Sequence, residues 1–433
     1  MALGGGKFTS MTKKLPGTYI NVTSEAAYSG GLDSGIVALP FCLSWGPDAA
    51  VIEITAADWI AKCWQILGYG PDADELKPIR EIFTGGASKV ILYNMNCGAK
   101  ASGSYATAKH KGTRGNSIKI KVAANVDDST KWDVTTIVDN IDQDVQTVAS
   151  AAALVSNAWV DFDTTATLAT QAATALSGGS DGTVTGTQHS AALAALEQKY
   201  FNVLICDSAD AATANLYTAY AKRMRDDMGI DFQLVAYNKA ADYEGVINVG
   251  STVSDAGAPN AALVYWVAGK CASCGFGKSL TNTAYDGEYT PVCNETQAQL
   301  EAAIDAGKFM FHMVGSDYRI LMDINSLVTF TQEKSSLMAK NEVVRITDYL
   351  NNEIAALFNS RYIGRIINSE TGRGHLKQDI ASIQDRLVQA GAIEYTNDDL
   401  QVTVGPDKGD VVIQDLITVN AAMVRLYMTI AIN

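Results

Sequence analysis

Charge is scarce in this sequence. Asp, Glu, Lys and Arg make up 18% of the 433 residues and hydrophobic residues 47%, where an average soluble domain carries about 25% charge. Disorder needs the opposite balance, so the chain is globular. Its length allows roughly two to four domains and a core that needs neither disulfides nor metals. The thin charge suggests that part of the surface is buried against partners. The charge present is acidic, a formal −14, which argues against a protein that grips nucleic acid through a basic face. No apolar run approaches the roughly 20 residues of a bilayer span. The start, Met1-Ala-Leu-Gly-Gly-Gly-Lys-Phe8, lacks the charged-then-apolar layout of a signal peptide, so folding in a bacterial-type cytoplasm is expected.

Catalytic signatures are equally sparse. The seven cysteines are dispersed, as reduced thiols packing as small hydrophobes would be. The histidines at 110, 189, 312 and 375 form no His-Glu-x-x-His frame, and no Gly-x-Ser-x-Gly elbow occurs. Acidic pairs at 226–227 and 398–399 fit a solvated helix end and a polar turn. Two look-alikes deserve weighing. Ala272-Ser-Cys-Gly-Phe-Gly277-Lys278-Ser279 satisfies a loose phosphate-loop pattern. Such a loop works only where a strand feeds a glycine turn that opens a helix, and turn and strand residues follow here. Cys271 and Cys274 have zinc or redox spacing, but the further ligands a tetrahedral site needs are missing. The expectation is no catalytic residue, no metal and no cofactor. A nucleotide hydrolase built on residues 272–279 is the cross-class rival.

Pattern divides the chain into five stretches. Residues 1–22 read as an extended arm ending in strand-like Gly17-Thr-Tyr-Ile-Asn-Val22. Residues 23–97 read as part of an α/β core, with short apolar runs at 36–39, 51–54 and 89–93 and a helix at 58–67. Residues 98–190 are rich in Ala, Thr, Ser and Gly, with period-two apolar positions at 118, 120 and 122 and an exposed loop at 178–182. They predict a mainly β inserted domain. Residues 191–340 read as a second α/β block with strands near 201–206 and 232–236. In 341–433, apolar spacing predicts helices over 341–358 and 376–390, stopped by Gly391. Val424, Leu426, Met428, Ile430 and Ile432 then alternate with Arg425, Tyr427, Thr429 and Ala431, as in a one-sided terminal strand. Such a strand must pair with something or invite aggregation. The fold class is α/β (α+β) and multidomain, with extended ends. Arg361, Arg365, Arg373 and Lys377 form a basic island with a single acid, Glu370. It reads either as a set of intrachain ion pairs or as a contact for an acidic partner.

Several segments, in order, resemble contractile-tail sheath proteins of phages and of phage-like elements in Gram-positive bacteria. They are Leu15-Pro-Gly-Thr-Tyr-Ile-Asn21, Gly35-Ile-Val-Ala-Leu-Pro40, Ser44-Trp-Gly-Pro47, Val51-Ile-Glu-Ile-Thr55 and Gly112-Thr-Arg-Gly-Asn116. Further along come Trp266-Val-Ala-Gly269, Ser279-Leu-Thr281, Tyr285-Asp-Gly287, Arg345-Ile-Thr-Asp-Tyr-Leu350, Asn359-Ser-Arg-Tyr-Ile-Gly364 and Gly391-Ala-Ile-Glu394. The likeness covers most of the chain and is weakest over 125–190.

The resemblance implies a structural subunit, not an enzyme. Its copies would form six-membered rings stacked helically around an inner tail tube, between a baseplate and a tail terminator. On contraction they would drive the tube through the host envelope for genome ejection. The setting would be a virion tail assembled in host cytoplasm, without membrane insertion or nucleic-acid binding. A tail-derived bacteriocin or other injection-system sheath has the same chemistry. A surface-layer subunit would need the secretion signal that the start lacks. In that family the ends add strands to neighbouring subunits, the β-augmentation mode. Here that role would fall to Leu15, Pro16, Gly17, Tyr19, Ile20 and Val22 at one end, and to Val424, Leu426, Met428, Ile430 and Ile432 at the other.

Overall fold

The computed structural model describes residues 34–432. The N-terminal arm, with Leu15, Pro16, Gly17, Tyr19, Ile20 and Val22, lies outside the described residues.

Three strands come first, β1 (Ile36–Phe41), β2 (Val51–Thr55) and β3 (Lys89–Asn94), with a short helix α1 (Trp59–Lys62) and α2 (Lys77–Thr84) between the last two. The inserted stretch contributes β4 (Lys100–Ser102), β5 (Ala106–Lys111), β6 (Lys119–Ala124), β7 (Trp132–Val138), β8 (Ile141–Val148), β9 (Val160–Phe162) and β10 (Gln171–Ala175). There follow α3 (Gly186–Leu196), β11 (Val203–Cys206), α4 (Ala211–Lys222), β12 (Gln233–Tyr237), β13 (Val246–Val249), α5 (Leu263–Ser273), α6 (Gln297–Asp305), β14 (Lys308–Phe309), β15 (Phe311–Val314) and β16 (Asp317–Ile320). The chain finishes with α7 (Asn341–Leu357), α8 (Glu370–Gln389), β17 (Ile393–Glu394), β18 (Leu400–Val404), β19 (Val411–Asp415) and β20 (Thr418–Val419).

Strands from both sides of the insertion share one seven-stranded sheet, ordered β14-β13-β12-β11-β1-β3-β2 and parallel except for β2. Both its faces are covered. Val37, Leu39, Val90 and Leu92 face the layer holding α2 and α5, while Ile36, Ala38, Ile91 and Leu204 face that of α3 and α4. Double burial is why these strands are continuous apolar runs and not alternating ones. The sequence motif around Gly269 has a packing cause. Helix α5 is buried along most of its length, and a Cβ on Gly269 would sit 2.2 Å from the Ile82 carbonyl of α2.

The inserted stretch forms two antiparallel sheets, β10-β6-β7-β8 and β4-β5-β9. Ile118, Ile120 and Val122 are buried as their period-two spacing predicts.

Two local expectations need correction, and a third, the exposed loop, gains its anchors. Helix α8 begins at Glu370, not 376, because the Ser369 hydroxyl accepts the Gly372 N–H at 3.1 Å and starts a turn that the apolar spacing hides. The 178–182 loop is pinned to the body as well as partly exposed: Asp181 Oδ1 accepts the Thr113 N–H at 2.8 Å, and Ala99 N donates to Ser180 O at 3.1 Å. Finally, Val424–Ile432 forms no strand within the chain, since strand geometry holds only where a ladder satisfies the backbone.

Candidate assembly surfaces

Helix α7 carries the C-terminal region on the central block through two buried ion pairs. Arg225 grips Asp348 with two N–H···O bonds of 2.7 Å each, and Arg345 reaches Asp323 at 2.7 Å. Burial pushes the Asp348 carboxyl up and the facing Arg225 draws it back down, leaving it at about 6. Asp323 also accepts the Leu280 N–H at 2.9 Å and the Asn341 side-chain amide at 2.8 Å. Pairing of opposite charges is the condition for tolerating them in the interior, and Asp323 has further N–H donors besides Arg345. These contacts account for two of the sequence segments, Arg345–Leu350 and Ser279–Thr281.

Beyond α8 the structure thins to a pair of two-stranded sheets, β17-β20 and β18-β19. Neither makes a third strand pairing among the described residues, so each has open edges. The chain leaves β20 with Asn420 N donating to Ala392 O at 2.9 Å and Ala422 N to Glu342 Oε2 at 3.3 Å. After this anchor the side chains stand in solvent: Leu426 is 85% exposed, Met428 69%, Ile430 72% and Ile432 93%. Val424 is 40% exposed. Beyond Val424, then, the apolar alternation is largely uncovered by its own chain, which is a large unsatisfied surface.

The basic island is only partly free. Arg361 pairs with Asp379 at 3.0 Å, as the intrachain reading expects. Arg365 donates to the Ser360 carbonyl and Arg373 to Asn368 Oδ1 at 2.9 Å, both neutral acceptors. Lys377 is half-buried on α8. The structure therefore brings Arg361, Arg365, Arg373 and Lys377 to the start of α8 without neutralising all four. The sequence reading missed Ile363, Ile366 and Ile367 beside them, exposed by 54%, 44% and 83%. The signal was an apolar trio inside an otherwise polar, basic segment.

The catalytic look-alikes take other shapes. Residues 274–279 follow the C-terminal end of α5 instead of opening a helix, so carbonyls, not amides, face that loop, and a helix C-terminus repels phosphate. Phe276 packs against Tyr349, the two rings tilted with centres 4.5 Å apart. Cys271 is buried, its thiol pushed up by desolvation, and burial raises Cys274 as well. That is the opposite of an activated thiolate. Among the described residues no group of His, Cys, Asp and Glu could hold a metal ion.

Three known protein families match successive stretches of the chain. Residues 96–181 match the phage tail sheath protein beta-sandwich domain, 182–326 the phage tail sheath protein central domain, and 333–433 the phage tail sheath C-terminal domain. The phage-like element PBSX protein XkdK of Bacillus subtilis is 32% identical over the whole of both chains. The crystal structure of a sheath tail protein from Desulfitobacterium hafniense superposes with a TM-score of 0.82 at 35% identity, covering 93% of this chain and all of that one. The helical sheath of the anti-feeding prophage in its contracted state shares the fold, with a TM-score of 0.54 at 14% identity over 97% of this chain and 99% of that one.

Proposed function

This chain belongs to the phage tail sheath protein family, and from that premise we propose that its copies stack as six-membered rings in a helical cylinder around an inner tail tube. Its family, and the fold it shares with a contracted sheath, support a structural subunit of a contractile sheath. Contraction would drive the tube through a host envelope, with a baseplate at one end and a terminator at the other. A phage tail and a tail-derived bacteriocin would use the same subunit. No catalytic step is assigned to it.

One observation carries this reading: a stretch of alternating apolar residues stands in solvent on a chain whose terminal sheets have open edges. Both are satisfied at once if the ends pair with neighbouring copies. Each ladder hydrogen bond contributes only about 1 kcal/mol net, so one junction is weak, and repetition around a cylinder makes the mesh. Val424, Leu426, Met428, Ile430 and Ile432 would serve at one end and Leu15 to Val22 at the other. Arg365, Arg373 and Lys377, with Arg361 already paired, would face the tube or an acidic neighbour, where charge sets register more than affinity.

The test is electron microscopy of the purified protein beside a variant lacking residues 423–433, with circular dichroism melting of both. Cylinders from the parent, none from the truncation, and equal melting support linkage by the tail. Cylinders from the truncation would refute it.

A further inference from the structure

A cavity of about 300 Å³ lies where the inserted β domain meets the central block, at the lower end of the size range of small-ligand pockets, about 300–1,000 Å³. Three of the chain's six tryptophans line it, Trp45, Trp64 and Trp159. Trp45 and Trp159 are buried and serve as core, but Trp64 is half-buried and keeps part of its ring uncovered. Most of the remaining lining is polar: Gln65, Gln143, Asp144 and Asn157.

Two irregularities of the backbone aim these side chains. The register of β7 with β8 pairs Thr136 with Asp144 and Ile137 with Asp142, so Gln143 is an extra residue, a β-bulge. In a regular strand neighbours point to opposite faces, yet Gln143 and Asp144 line the same cavity. Bulges re-aim side chains in this way beside active sites. Trp64 and Gln65 come from a single π-helical turn, Cys63–Leu67, a feature frequent at functional sites. Gly68 ends that turn at φ +74°, and a Cβ there would stand 2.3 Å from the Trp45 ring.

The polar groups are only half committed. Asn157 is fixed: its Oδ1 accepts the Trp159 and Val160 N–H at 2.9 Å each, and its Nδ2 donates to Thr136 Oγ1 at 3.0 Å and to Asp144 Oδ2 at 2.9 Å. Gln146 Nε2 donates to that same Oδ2 at 2.7 Å. The carboxylate is thereby held in place while, among the described residues, no donor reaches Oδ1. Nor does Gln65 or Gln143 make a side-chain hydrogen bond among the described residues.

Charge narrows the ligand. A cluster of rings attracts a cation, but Arg114 already fills that role, 5.8 Å from the Trp64 ring centre and 5.9 Å from that of Trp159. Asp144 opposes an anion. What suits the cavity is a neutral ligand with a flat apolar face to lie on Trp64 and a rim of groups that both donate and accept, to meet two amides and a carboxylate oxygen. A hexopyranose has both, in its C–H face and its hydroxyls. We propose that this cavity binds a neutral hexopyranose unit of a glycan, stacked on Trp64 and held by Gln65, Gln143 and Asp144 Oδ1. The site is complete within one copy and does not depend on how copies assemble.

Tryptophan fluorescence of the full-length chain would be followed during titration with glucose, galactose, mannose and N-acetylglucosamine, with choline as a cationic comparison. The expected result is a saturable change with at least one of the four sugars, weakened about tenfold in Gln143→Ala and in Gln65→Ala. Both variants should melt as the parent does in circular dichroism, since neither side chain is bonded to the fold. No saturable response to any of the four sugars would overturn the proposal, as would a response that both glutamine variants leave unchanged. Saturation by choline in place of a sugar would overturn the neutral class. Saturation-transfer NMR on the parent gives a readout that needs no variant. Transfer should fall mainly on the C–H protons of one face of the sugar ring, and an even spread over both faces would overturn stacking on Trp64.

Discussion

The junction between the inserted β domain and the central sheet contrasts with the C-terminal end. At the junction every strong group finds its partner within the chain. Arg114 donates to the Gly68 carbonyl at 3.0 Å and holds Asp139 with two bonds of 2.8 and 2.7 Å. Its guanidinium lies 4.6 Å from the Tyr69 ring centre, near Trp64 and Trp159. Those tryptophans meet edge to face at 5.4 Å, with Trp45 5.2 Å from Trp159. Asp139 and Asn140, both at positive φ, form the tight turn that presents the carboxylate. At the C-terminal end, by contrast, backbone edges are open and Leu426, Met428, Ile430 and Ile432 of the tail face water. The first region is finished in the monomer. The second is consistent with an interface whose other half belongs to another molecule.

That contrast is breakable, most severely at Gly112. Its φ is +120°, and a Cβ would come within 1.9 Å of the Ser44 carbonyl oxygen. Gly112→Ala therefore meets backbone that cannot yield and should cost more than about 3 kcal/mol, beyond ordinary backbone strain. A melting curve close to that of the parent would show that the junction is softer than its contacts imply.

A smaller effect belongs to Arg114→Ala, which removes two charge-assisted hydrogen bonds and a cation–π contact. A loss of about 2–3 kcal/mol is expected in urea melts, discounted for the partial exposure of Asp139. This region also has a pH signature. The Arg114 hydrogen bonds hold Asp139 below the usual aspartate range. A folded pKa below the unfolded one means that the pair's contribution is full above about pH 4 and is lost as pH falls through the depressed value. In Arg114→Ala the Asp139 titration, followed by NMR, should move up toward the ordinary range.

The smallest monomer effect is predicted where the assembly effect is total. Leu426→Asp and Ile430→Asp touch side chains that are 85% and 72% exposed, so each should change monomer stability by no more than about 0.5 kcal/mol while abolishing cylinders. A substantial drop in melting temperature would mean that the tail packs on its own body in solution, and the contrast between the two regions would fail.

How much of this was legible in the sequence varied with the physics involved. Burial on both faces writes itself as a continuous apolar run, so Ile36–Leu39 and Lys89–Tyr93 were readable as strands. The one-faced strand at 118–122 announced itself by period two, and α7 by its spacing. The start of α8 was hidden because capping by Ser369 and the glycines at 372 and 374 have no apolar period. The candidate surfaces were half visible: the tail alternation and the basic island can be read directly, but Ile363, Ile366 and Ile367 gain meaning only beside β19.

By itself, then, the sequence determined the apolar runs of the central strands, the period-two strand at 118–122, the spacing of α7 and the alternation of the tail. All of these depend on residue type and short-range spacing. Tertiary structure alone decided which distant segments meet. It paired β1 with β11 across 166 residues (Val37 with Val203), and it set Arg225 on Asp348 and Arg114 among three rings. It also placed the phosphate-loop look-alike at the C-terminal end of a helix. These outcomes depend on contacts between residues far apart in the chain, whose closure is set by the packing of the whole core.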